Sequence, residues 1–84
     1  MKRNYRNALN ALTKLGVPTY QRSDMENWAI SAEHEDSYKF CDYYDGHGIP
    51  DWEFGVSPVI YNTLRKYNLH AEWINPGELG VYED

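Results

Sequence analysis

Residues 56–83 read VSPVIYNTLRKYNLHAEWINPGELGVYE, and this stretch decides the fold class. Ser57 followed by Pro58 marks a helix start. A serine hydroxyl at the N-cap can accept from a free backbone N–H, and proline at the first helical position gives up no N–H that the helix needs. Val56 and Tyr61 stand at the hydrophobic-staple positions. Ile60, Leu64 and Tyr67 line one face at helical spacing, and Asn68 is placed for a left-handed cap. Residues 69–74 then read as a strand. Asn75-Pro76-Gly77-Glu78 has proline and glycine at the two central places of a type II turn, and residues 79–83 return as a second strand. A loop of Pro76 and Gly77 alone sets Trp73 opposite Gly80, with the indole covering the glycine.

The N-terminal third repeats this order. Residues 3–15 place Tyr5, Ala8, Leu9, Leu12 and Leu15 on one helical face, Gly16 follows as a cap, and Pro18 prevents resumption. Residues 17–22 read as a short extended piece and Ser23–Asn27 as a polar turn. Residues 27–33 (NWAISAE) alternate, with Trp28, Ile30 and Ala32 on one side. Laying residues 10–33 over 62–84 at an offset of 52 superposes Asn10 on Asn62, Leu12 on Leu64, Lys14 on Lys66 and Glu26 on Glu78. It also sets Gly16 on Asn68, cap on cap. This suggests an αββ unit used twice.

Between the two units, residues 37–44 (SYKFCDYY) alternate again. Tyr38 and Phe40 oppose Lys39 and Cys41, which reads as a further strand. It forms a hairpin with residues 27–33, through a connection of odd length that keeps Ile30 and Phe40 on the same side. The expected architecture is a single α+β domain over residues 1–84. Two helices pack on one face of a four- to five-stranded antiparallel sheet, in the order α-β-β-β-α-β-β, with an internal αββ pseudo-repeat at 10–33 and 62–84.

Composition narrows the function. The chain has 84 residues, 42% hydrophobic and 15% aromatic, with a formal net charge of −5. That mix is globular. The acidic balance disfavours nucleic acid as a partner, and no apolar run approaches the ~20 residues of a membrane span. One cysteine, Cys41, excludes an internal disulfide and a multi-cysteine zinc site. The basic start MKRNYRNALNAL lacks the apolar run of a signal peptide, so the cytoplasm is the expected location. Charge is segregated. Lys2, Arg3, Arg6, Lys14 and Arg22 face no acid within residues 1–22, whereas residues 23–62 carry nine acids against Lys39. Cations at the positive end of a helix dipole are unfavourable, and the acidic middle of the chain is their nearest compensation.

The segment Asp42–Glu53 gathers polar function. A calcium loop is excluded because its third, fifth and sixth places are Tyr44, Gly46 and His47. A metal-dependent or hydrolytic module built on Asp45, His47 and Asp51 is the alternative reading. It lacks HxH, HExxH or CxxC spacing and requires the three side chains to converge on a hollow. No serine lies in a GxSxG elbow, Cys41 reads as a small buried apolar group, and no GxGxxG or P-loop implies a nucleotide. No catalytic residue, metal or cofactor is assigned.

The preferred reading is a non-enzymatic interaction domain. Tyr43, Tyr44, Asp45, His47, Asp51, Trp52 and Glu53 would form an acidic-aromatic surface for a basic protein partner or for a second copy of the chain. Short acidic chains of this kind are common among bacteriophage accessory proteins. An inhibitor that presents carboxylates where a partner expects phosphates is the sharper form.

Overall fold

The computed structural model describes residues 1–21 and 28–84. The polar turn expected at Ser23–Asn27, and with it Glu26, lies outside the described residues. Two helices, α1 (Arg3–Lys14) and α2 (Pro58–Arg65), lie with a four-stranded sheet of β1 (Thr19–Gln21), β2 (Trp28–Ser31), β3 (Leu69–Asn75) and β4 (Glu78–Glu83). The sheet order is β1-β2-β4-β3, antiparallel throughout. The α+β class and the antiparallel sheet are as expected.

Helix ends fall where the caps place them. Gly16 and Asn68 both have positive φ, at 87° and 59°. At the end of α1 the Gly16 N–H donates to Thr13 and the Val17 N–H to Leu12, each at 3.0 Å. This is a Schellman closure, and buried Val17 and Leu12 supply its apolar contact. Leu15, expected on the buried face, is instead half exposed, because α1 stops at Lys14 and Leu15 is already the C-cap. Ser57 is the N-cap of α2 as read, but its hydroxyl makes no capping bond and is buried without a partner among the described residues.

The expected strand at 37–44 does not form. Ser37–Lys39 is a 3₁₀ turn, and beyond it only Cys41 makes an isolated bridge, to Val56. The Ser37 hydroxyl donates to the Ser31 carbonyl at 2.6 Å, and the Ser37 carbonyl accepts from Phe40 and Cys41. These bonds curl the chain instead of extending it. Both edges of β2 are occupied, by β1 and by β4, so no edge was left for a hairpin partner.

Among the described residues, the helices cover one face of the sheet and leave the other open. Register places Trp28 and Ile30 of β2, Leu79 and Val81 of β4, and Leu69, Ala71 and Trp73 of β3 on the side of the helices. There they pack with Ala8 and Leu12 of α1 and Ile60 and Leu64 of α2. The alternation puts Tyr20, Ala29, His70, Glu72, Glu78, Gly80 and Tyr82 on the opposite face.

The β3–β4 register departs from the expected one at a β-bulge between Trp73 and Asn75. Trp73 pairs with Leu79, and it is Glu72 that faces Gly80. A Cβ at Gly80 would lie 2.6 Å from the Tyr82 hydroxyl and 2.9 Å from Ile74 Cδ1, so a tyrosine and an isoleucine cover the glycine. The bulge turns Trp73 to the helix side, where its indole donates to the Phe54 carbonyl at 2.7 Å.

Candidate functional site

The residues 42–56 form a loop closed at a narrow neck. The Asp42 N–H donates to the Gly55 carbonyl at 2.8 Å, and the Ser57 N–H to that of Phe40 at 2.9 Å. Asp42 Oδ1 accepts from the N–H groups of Tyr44 and Asp45, both at 3.0 Å, so this carboxylate builds the turn that starts the loop. Farther round, the Tyr61 hydroxyl of α2 donates to the Asp51 carbonyl at 2.8 Å. The neck is tight enough that a Cβ on Gly46 would lie 2.7 Å from Gly55 Cα. Asp51 and Phe54 hold positive φ of 71° and 52°, a costly conformation for a bulky side chain.

Of the residues read from sequence, Tyr43, Tyr44, Asp45, His47, Asp51 and Glu53 are exposed and Trp52 is half-buried. The structure joins two of them to a ring outside the loop. Tyr44 meets Tyr43 edge to face at 5.3 Å, and Tyr43 meets Trp73 the same way at 5.4 Å. Such contacts contribute roughly 0.5–1.5 kcal/mol beyond area burial, so the rings hold one another in place. On the near side lies a hollow of about 330 Å³ whose lining includes Tyr38, Tyr43 and Tyr44 together with Glu33 and Asp42. Tyr38 and Tyr44 are 66% and 74% exposed. Tyr38 and Trp73 were missed in the sequence because the first sat in an expected strand and the second in the wrong register. Asp45, His47, Asp51 and Trp52 lie away from this hollow.

Asp45, His47 and Asp51 all face solvent, and among the described residues no three histidine, cysteine or acidic side chains are grouped as a cation needs. Burial, with the Asp42 carboxylate adding to it, pushes the Cys41 thiol up to about 11. It stays protonated at neutral pH and is a poor nucleophile. The open sheet face is acidic. His70 Nε2 lies 2.8 Å from Glu72 and Nδ1 2.7 Å from Asp84. Lys2, at the start of α1, pairs with Glu83 of β4.

No family model matches the chain, and no curated protein or solved structure is significantly similar to it. The functional reading therefore rests on the site itself.

His70 carries a pH prediction. Only the protonated ring can donate to both carboxylates. The hydrogen bond to Glu72 raises its pKa above the ordinary 6.5; desolvation opposes the rise, and the hydrogen bond and charge of Asp84 and the charge of Glu72 add to it. The folded state thus binds the proton more tightly than the unfolded chain. The resulting stability is fully present below 6.5 and is lost as pH rises through the folded pKa. Urea unfolding of the wild type across that window should show this loss, and His70→Gln should flatten the difference. Parallel curves for the two proteins would remove histidine from the account.

Proposed function

We propose that this chain is a non-enzymatic interaction domain that binds a basic, partly apolar protein partner through its acidic-aromatic surface. The observation that carries the reading is the hollow where three tyrosine rings stand beside the carboxylates of Glu33 and Asp42. An arginine or lysine side chain there gains cation–π attraction from the rings and charge pairing from the acids. Asp45, His47, Asp51, Trp52 and Glu53 extend the surface around the loop. The acidic face suits an accessory or inhibitor protein of bacteriophage type, presenting carboxylates to a site built for phosphates. We place this activity in the cytoplasm, where the single buried thiol stays reduced.

We further propose that the scaffold is an αββ unit used twice, at 10–33 and 62–84. Element order, the two left-handed caps and the side-by-side hairpins around the β2–β4 pair support it.

The test is an NMR titration with blocked oligoarginine, and blocked oligoglutamate as control. Oligoarginine should shift the resonances of Tyr38, Tyr43 and Tyr44, and Tyr44→Ala should weaken binding by about tenfold, as loss of an aromatic anchor does. Binding should fall as salt rises, because these charges are exposed and screened. Shifts elsewhere on the chain, or affinity indifferent to salt, would refute the assignment.

A further inference from the structure

Strand β3 is an edge of the sheet and, at seven residues, the longest strand among the described residues. The phase of its ladder follows from one bond beyond it. The Asp84 N–H donates to the Asn68 carbonyl at 3.0 Å, in the same register as the β3–β4 pairs. His70 and Glu72 therefore turn their main-chain groups toward β4, while the N–H and C=O groups of Leu69, Ala71 and Trp73 point outward. Among the described residues no loop or helix hydrogen-bonds to those outward groups. Natural sheets blunt such edges with proline, lysine, other charges, a bulge or a short strand; β3 has no proline or lysine, carries one acid, Glu72, and has its bulge at its far end, between Trp73 and Asn75.

Beside this edge runs a groove of about 550 Å³, bounded by Tyr61 and Arg65 of α2 on one side and by Leu69, Ala71 and Trp73 on the other. Phe54, 80% exposed, stands at its mouth. The groove also carries the carboxylates of Glu53, Glu72 and Asp84, against Arg65 and His70 as its cations.

We infer that the free edge of β3 takes an extended segment of a partner protein as a fifth strand, and that the segment alternates apolar and basic residues. The alternation follows from the pleat. Partner residues opposite Leu69, Ala71 and Trp73 point their side chains to the groove and its apolar wall. Residues between them point to the open face, beside Glu72 and Asp84. Main-chain bonds supply affinity without regard to sequence, and the two faces supply the preference. A second copy of this chain fits less well, because it brings more carboxylates to an edge already negative. The inference rests on the partner being a basic protein, but not on which of residues 42–53 it touches.

The experiment uses a blocked alternating Lys-Val peptide as probe, with the alternating Glu-Val peptide as control. Amide hydrogen exchange and chemical shifts are read on the whole chain. The Ala71 and Trp73 amides, unlike that of buried Leu69, should exchange freely without peptide and become protected with Lys-Val. Ala71→Pro removes only an outward N–H, a change that edge strands tolerate, and should weaken binding by at least about tenfold. Should that variant misfold, Glu72→Lys leaves the main chain alone and should exchange the preference from Lys-Val to Glu-Val. Protection at β3 with no change at Tyr43 and Tyr44 supports the strand addition and removes the acidic-aromatic surface as the contact. Shifts at those tyrosines with β3 unaffected overturn the strand addition and leave the surface reading standing. Silence at both sites overturns both. Protection of the Ala71 amide that grows with protein concentration, without peptide, assigns the edge to a second copy and overturns the inference.

Discussion

Gly55→Ala should destabilise the protein by roughly 2–4 kcal/mol, the range seen where a substitution breaks a special backbone conformation and a packed contact together. Two independent costs add. Gly55 holds φ at 80°, where an L side chain is penalised by roughly 1–2 kcal/mol. Its Cβ would also lie 2.5 Å from the Asp42 carbonyl oxygen. That atom is backbone and cannot swing aside. Asp42 moves only by giving up its own bond to the Gly55 carbonyl at 2.8 Å, and with it the neck of the loop. The neck positions both surfaces proposed above, since Tyr43 and Tyr44 follow Asp42 and Phe54 precedes Gly55. Oligoarginine binding should therefore fall along with stability. Gly48→Ala is the internal control. It lies in the same loop, its added Cβ meets nothing within 4 Å, and its φ is not positive. Urea unfolding should show Gly48→Ala close to wild type. Equal losses in the two variants would mean that the neck does not constrain the loop.

That loop also shows how far a sequence can be read without coordinates. The helix ends were legible because their signals are local. Gly16 with Pro18, Ser57 with Pro58, and Asn68 each act within one turn of the chain. The place of the turn at Pro76 and Gly77 was legible for the same reason, but not its type, since Gly77 lacks the positive φ that a type II turn requires. The fate of residues 37–44 was not, because alternation shows only that a segment could be a strand. Whether it becomes one depends on a free edge, and β4 from the far end of the chain had taken the edge of β2. The bulge near Trp73 was equally hidden. A single extra residue in the ladder moved that indole from the open face to the loop, where it meets Tyr43 and Phe54. Tyr43 and Tyr44 could be picked out by their acidic neighbours. Tyr38 and Trp73, which complete the ring cluster and the hollow, reach it only through tertiary structure.

Trp28→Ala should remove about 3–5 kcal/mol, the usual cost of truncating a large buried aromatic. Trp28 is 1% exposed in β2, on the helix-facing side with Ile30. Its indole N–H also donates to the Tyr5 carbonyl of α1 at 2.9 Å, so one side chain fills the core and ties the sheet to the first helix. A domain of this size has on the order of 5–15 kcal/mol in all, so the loss is a large share of the whole. At about 4–8 °C per kcal/mol, the melting temperature should fall by roughly 12–40 °C. Trp28→Phe separates the two roles. It keeps an aromatic ring and loses the hydrogen bond, and the Tyr5 carbonyl still accepts from within its own helix, so about 1–2 kcal/mol should go. Leu15→Ala, on a half-exposed residue outside the core cluster, supplies the lower reference. If thermal unfolding ranks Trp28→Ala no worse than Leu15→Ala, the sheet does not close over α1 through this indole. The core would then have to be centred elsewhere, on the α2 side around Ile60 and Leu64.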